Sequence, residues 1–233
     1  MLSIIIPTLN EEKLLPILLK EIKKQNFSDC EIIVSDAGSK DKTVEIAKNF
    51  GCQIAKGGLP PKGRNEGAKI ARGDLFLFLD ADNIYLPENF LNKLLGEFKK
   101  RNLKVASFPV CPQGNWFDKL AYGTYNCWVK LTQNFLAYAT NGVLVKREIF
   151  EKIRGFDEEI KIGEDHDFAK RAAKIGKFGF IETKSVLTST RRFEREGRLR
   201  AYSKYILAGI YIFLFGPVKK NIFKYHFNDL PKK

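Results

Sequence analysis

Acidic residues at the ends of apolar runs are the first candidates for chemistry in this chain. Asp36 closes Ile32-Ile33-Val34-Ser35, and Asp80-Ala81-Asp82 follows Phe76-Leu77-Phe78-Leu79. Carboxylates one residue apart at a strand's end point the same way and can share a hard cation with substrate phosphates, as Mg²⁺ prefers. A solvated turn is the other reading of Asp80/Asp82, and the apolar run before the pair argues against it. Asp36 to Thr43 reads equally as a turn and a helix N-cap. Gly163-Glu164-Asp165-His166-Asp167 places three carboxylates at the start of a helical pattern, where the dipole alone favours them. Arg191 and Arg192 can hold a phosphate, or form a solvated basic run paired with Glu194 and Glu196.

The elements that must position these residues follow from the apolar pattern. Residues 2–6, 31–35, 53–55, 75–79 and 105–110 read as strands, and 12–24, 43–50, 63–71 and 88–100 as helices. The helix over 88–100 has a clear stripe of Phe90, Leu91, Leu94, Leu95 and Phe98. Alternation of strand and helix over this stretch implies right-handed crossovers and a mostly parallel α/β sheet covered on both faces. In such sheets ligands bind at the carboxyl ends of strands, where the acidic residues lie. Beyond Pro112 the pattern changes. Helices are expected over 117–131, which is aromatic-rich, and over 165–175 and 198–215. Strands are expected over 142–145, 177–181 and 185–189, with the second half packing onto the first sheet.

The chain has 233 residues, of which 44% are hydrophobic, and this excludes wholesale disorder. Cys30, Cys52, Cys111 and Cys127 include no C-x-x-C pair and there are only two histidines, so no zinc finger or ribbon is expected. Scattered thiols read as reduced core residues of an intracellular protein. No signal peptide is expected, because strand-like residues begin at Leu2. The charge is lopsided. Residues 184–233 carry 12 Lys/Arg and 3 Asp/Glu, which is +9 of the total +13. A basic end calls for an anionic partner: nucleic acid, a membrane surface or a phosphorylated substrate.

Four motifs in order carry a resemblance. Ile5-Ile6-Pro7-Thr8-Leu9-Asn10-Glu11-Glu12, then Ser35-Asp36-Ala37-Gly38-Ser39, then Gly63-Arg64-Asn65-Glu66-Gly67-Ala68, then Phe78-Leu79-Asp80-Ala81-Asp82 resemble the family 2 glycosyltransferases. Asn141-Gly142, Gly155-Phe156-Asp157 and Gly163-Glu164-Asp165-His166-Asp167 are similar to the family's acceptor-side segments. The resemblance spans about residues 1–195. It implies a GT-A fold, with a nucleotide-binding part over about 1–112 and an acceptor-side part over about 113–195. Residues 196–233 then form a basic, apolar helical tail.

Carried over by position, the resemblance puts Pro7, Thr8, Asn10 and Glu11 around the base and ribose, with Asp36 on the base. It sets Gly63 and Arg64 at the donor, Arg64 on its phosphates. Asp80 would meet the ribose or the metal sphere, and Asp82 would ligate Mg²⁺ or Mn²⁺. Asp165 would be the general base of an inverting transfer, Glu164 an acceptor contact, and Arg191 and Arg192 phosphate contacts. Ser189-Thr190-Arg191-Arg192-Phe193 departs from the Gln-x-x-Arg-Trp of processive members, which argues against polymerisation.

Residues 205–218 form 14 nearly unbroken apolar positions, short of the ~20 needed to span a bilayer. With Arg195, Arg198, Arg200 and Lys204 before and Lys219, Lys220 and Lys224 after, residues 195–224 suit an anionic membrane surface. A buried or dimer-contact helix is the alternative. The resulting expectation is a peripheral enzyme at the cytoplasmic face of a membrane. It would use a nucleoside-diphosphate sugar and a lipid-linked or saccharide acceptor, with no nucleic acid. A sugar nucleotidyltransferase would need a glycine-rich phosphate loop where Pro7-Thr8-Leu9-Asn10-Glu11 stands. A nucleic-acid binder would have its phosphates repelled by Asp36, Asp80 and Asp82, and a catalytically dead relative is disfavoured because those carboxylates and Asp165 are all present.

Overall fold

The structure is a computed structural model that describes residues 1–139 and 142–219. In chain order the first part comprises β1 (Leu2–Thr8), α1 (Leu15–Lys23), β2 (Cys30–Asp36), α2 (Thr43–Asn49), β3 (Gln53–Lys56), α3 (Pro60–Ile70), β4 (Leu75–Leu79), β5 (Asn83–Tyr85) and α4 (Phe90–Lys100). It continues with β6 (Val105–Ser107), β7 (Val110–Pro112), α5 (Trp116–Thr132), β8 (Gly142–Lys146), α6 (Arg147–Lys152) and α7 (Glu164–Ala173). The last elements are β9 (Phe178–Phe180), β10 (Val186–Thr188), α8 (Arg191–Glu196) and α9 (Arg198–Phe215).

Among the described residues, one sheet has the order β3-β2-β1-β4-β8-β6-β9 and a smaller one β5-β10-β7. Strands β1 to β4 pair in parallel, and β8 is antiparallel to both β4 and β6. The expected α/β, mostly parallel sheet is therefore present. The second half does more than pack onto it: β8 and β9 extend it. Alternate side chains of one strand serve two cores, as the period of two requires. Ile4, Ile6, Leu77 and Leu79 join the core that holds α1 and α4, while Ile5, Phe76 and Phe78 join the core that holds α3 and α7.

Several boundaries differ from those read in the sequence. The expected strand 105–110 divides into β6 and β7, which belong to different sheets. Pro109, lacking an N–H, lies between them and accepts from Val186 N at 3.0 Å. Helix α1 starts at Leu15 because Glu11 to Leu14 form a turn and Pro16 occupies the first helical turn. Helix α3 starts three residues earlier than expected, at Pro60-Pro61, where the missing N–H groups cost nothing. Short α6 and α8 carry too few residues to show a period.

All four cysteines are free, but only Cys52 is buried, and Cys127 is exposed on α5. Burial pushes the Cys52 thiol up to about 11. Asn141, Lys220 and Lys224 lie outside the described residues. No described helix is long and apolar enough to cross a membrane.

Candidate active site

A cleft of about 1080 Å³ opens at the carboxyl ends of β1 and β4. Its wall includes Pro7, Thr8, Glu11, Arg64, Asp80, Asp82, Glu164, Asp165, Arg191 and Arg192. Residues from five separated stretches of chain thus meet in one hollow. Asn10, Asp36 and Gly63 are not on that wall. Asp36 accepts hydrogen bonds from the Thr8 hydroxyl at 3.2 Å and from the backbone N–H groups of Gly38 and Ser39 at 2.9 and 2.8 Å. Asn10 Oδ1 accepts from Lys40 N at 2.8 Å, and Ser39 Oγ accepts from Asn10 N at 2.8 Å. These bonds fix the loop after β2, whose Ala37 does reach the cleft. Gly63 is small because Pro7 packs on it: a Cβ there would lie 3.0 Å from Pro7 Cβ.

At the centre stands Arg64, 3% exposed, projecting from α3. It donates from Nη2 to Asp80 Oδ1 at 2.8 Å and from Nη1 to Glu164 Oε1 at 3.0 Å, with Asp165 Oδ1 3.3 Å away. The Phe156 ring lies 5.2 Å from its Cζ. One buried cation therefore ties the end of β4 to the first turn of α7. Breaking such a buried pair by removing one partner leaves uncompensated charge and costs about 3–5 kcal/mol.

The carboxylates respond to this confinement. Desolvation, with the charge of Glu164 beside it, pushes Asp165 up to about 8 against the pull of Arg64. Asp82 is raised to about 6, first by desolvation and then by the Asp80 charge, while Arg191 and Arg192 pull it down. Asp82 Oδ1 is buried without a hydrogen-bond partner. Paired carboxyl groups with one orphaned oxygen fit a divalent cation of the Mg²⁺ or Mn²⁺ kind, which takes one or two protein carboxylates and leaves its other positions to water and phosphate.

Arg191, at the start of α8, makes a two-pronged ion pair with the buried Glu11 carboxylate. Arg192 Nη1 donates to the Tyr205 hydroxyl at 3.1 Å. His166 is held away from protonation: burial lowers it to about 4, and its ring packs 4.6 Å from Tyr138. Asp167 pairs with Arg171 one turn along α7 at 2.7 Å.

The other half of the cleft is apolar. Tyr122, Tyr125 and Trp128 of α5 face Tyr202, Tyr205 and Ile210 of α9 across it. The aromatic richness of 117–131 is visible in the sequence, but nothing there gives those rings a part in the site. The pairing of Arg64 with three carboxylates carries no local signal either, since spacing does not report which partners meet across 100 residues.

The sequence model of the family described as Glycosyl transferase family 2 matches residues 3–154. The chain belongs to glycosyltransferase family 2. An uncharacterized glycosyltransferase of Haemophilus influenzae is 29% identical over 177 residues, covering 72% of this chain and 60% of the relative. The GalNAc(5)-diNAcBac-PP-undecaprenol beta-1,3-glucosyltransferase of Campylobacter jejuni is 39% identical over 92 residues, covering 35% of this chain and 29% of the relative. Among solved structures, the mannosyltransferase PcManGT from Pyrobaculum calidifontis, in complex with GDP-Man and Mn²⁺, superposes with a TM-score of 0.65 at 19% identity. That match covers 88% of this chain and 64% of the other. The chain spans 54 to 62% of the length of the first curated relatives it matches. The GT-A fold expected from the motifs is the fold of these neighbours.

Proposed function

We propose that this family 2 enzyme transfers a sugar, with inversion, from a nucleoside-diphosphate sugar to an acceptor hydroxyl or lipid phosphate in glycan, glycolipid or cell-envelope synthesis. The observation that carries this reading is the convergence of Asp80, Asp82, Arg64 and Asp165 in one cleft at the strand ends. The nucleotides and Mn²⁺ of the solved relative, and the undecaprenol-linked acceptor in the name of the Campylobacter enzyme, support the same class of chemistry.

In this reading Pro7, Thr8 and Glu11 flank the base and ribose, and Asn10 and Asp36 hold the loop that borders them. Asp82 and Asp80 hold the divalent cation, which when bound offsets the charge of the departing diphosphate. Asp165, raised towards neutrality by burial, accepts the proton of an acceptor hydroxyl as its oxygen attacks the anomeric carbon from the face opposite the diphosphate. A single displacement inverts that carbon. Arg64 positions Asp165 and Glu164 relative to Asp80, and Arg191 and Arg192 border the donor phosphates. A lipid phosphate, already ionised at pH 7, would need Asp165 far less. The basic segment 195–224 suits peripheral association with an anionic membrane.

The test is a thermal-shift screen of UDP-, GDP-, CDP- and dTDP-sugars, with and without Mn²⁺. Stabilisation by one nucleotide class, dependent on metal and absent in Asp82→Ala, is expected. At a ligand concentration of 100 Kd it amounts to about 2.7 kcal/mol. No stabilisation by any donor, with the fold intact, overturns the reading.

A further inference from the structure

Helices α5 and α9 are unlike the rest of the fold. Only Asp118 and Val129 are buried in α5, and only Ala201, Ala208 and Ile212 in α9. Of the nineteen large apolar side chains exposed among the described residues, thirteen lie between Trp116 and Phe135 or between Leu199 and Phe215. Trp116 is 74% exposed, Leu131 71%, Phe135 88%, Leu199 85% and Phe215 72%. The helices meet near their N-termini, where buried Asp118 accepts from Arg198 Nε at 3.0 Å and from the Tyr202 hydroxyl at 2.9 Å. Beyond that joint the apolar half of the cleft runs between them. Trp128, Ile206, Ile210 and Phe213 line it while remaining 40%, 62%, 52% and 68% exposed, so the groove opens outward through apolar walls.

Charge says what lies beyond that opening. Within α5 and α9 stand five Lys and Arg against one acidic residue, the buried Asp118. Arg198 pairs with Asp118, Lys130 with Glu182 and Lys204 with Glu196, while Lys119 and Arg200 have no carboxylate partner among the described residues. A second copy would bring two such basic faces together, which like-charge repulsion opposes. An anionic lipid surface accepts both features, because apolar side chains enter the acyl boundary while Lys and Arg meet head groups.

We infer that α5 and α9 form a platform that rests on an anionic lipid surface, and that the groove between them draws the apolar chain of a lipid-linked acceptor up to Asp165. This rests on the transferase reading and narrows its acceptor to the lipid-borne class. The aromatic row Tyr125, Trp128, Tyr138, with ring centroids 6.2 and 4.9 Å apart, leads from the groove to His166 beside Asp165.

The two tryptophans of the chain both lie on α5, one on the platform and one in the groove, and report the two parts separately. With phosphatidylglycerol-containing vesicles, Trp116 emission should shift to the blue, be quenched by doxyl-labelled lipid, and revert as salt rises. Pure phosphatidylcholine should do much less. The double substitution Leu120→Ser, Leu207→Ser, at exposed positions outside the cleft wall, should weaken vesicle binding at least tenfold while leaving nucleotide-sugar thermal shifts unchanged. In a Trp116→Phe background, farnesyl phosphate should perturb Trp128, and Ile210→Glu should abolish that response. No partition to anionic vesicles, or partition unaffected by the double substitution, overturns the platform. Silence of Trp128 towards farnesyl phosphate overturns the groove. Vesicle binding without any nucleotide-dependent stabilisation would instead sink the transferase reading and leave the platform standing.

Discussion

For Asp165, surroundings rather than residue type set the proton affinity. In water its carboxyl would be fully ionised at pH 7 and a weak base; burial raises it to about 8. The sign follows directly: protonated carboxyl cannot accept a proton. Transfer to a hydroxyl acceptor should therefore fall about tenfold per pH unit below about 8, measured as kcat/KM of the free enzyme. Asp165→Asn should remove that limb and lower kcat by about 10²–10⁴-fold, with nucleotide-induced thermal shifts preserved. The same raised pKa contributes stability below the unfolded value near 4 and loses it as pH climbs through about 8. The advantage of Asp165→Asn in denaturation midpoint should accordingly grow across that window.

At the level of elements, the position of α3 decides where Arg64 points, and small residues decide the position of α3. A Cβ on Gly67 would fall 2.5 Å from both Ile5 Cγ2 and Ser35 Oγ on the sheet beneath. Gly67→Ala should cost about 1–3 kcal/mol in urea denaturation, since the helix or the Ile5 and Ser35 side chains beneath it must shift to relieve the overlap. Helix α5 is begun by a capping box in which Asn115 Oδ1 accepts from Asp118 N at 3.0 Å and Asp118 accepts from Asn115 N at 3.2 Å. The same Asp118 anchors α9 through Arg198 and Tyr202. Asp118→Ala should cost about 1–3 kcal/mol and speed tryptic cleavage after Arg198 and Arg200 well beyond the parent rate.

For the molecule as a whole, Arg64 joins regions 16 and 100 residues away into one charged centre. Arg64→Met keeps an unbranched but shorter side chain, removes the guanidinium and strands three carboxylates, and should lower the unfolding free energy by about 3–5 kcal/mol. Calorimetry at neutral pH would measure it, and lowering the pH should recover part of the loss as the carboxyls protonate. Much of this architecture was legible in the chain itself. Apolar runs 2–6 and 75–79 specify buried strands, the stripe from Phe90 to Phe98 specifies an amphipathic helix, and acidic residues at strand ends mark the cleft, because these signals are local and periodic. The division of 105–110 between two sheets was not legible, since it depends on which neighbour each half pairs with. Neither was the engagement of Arg64 with Asp80, Glu164 and Asp165, nor the opening of an aromatic groove between α5 and α9. Sequence by itself determined the family, the layered sheet and most of the residue types that line the candidate cleft. Only the tertiary structure decided which charges are buried together and which apolar faces are left uncovered, because burial and pairing are properties of distances between segments far apart along the chain.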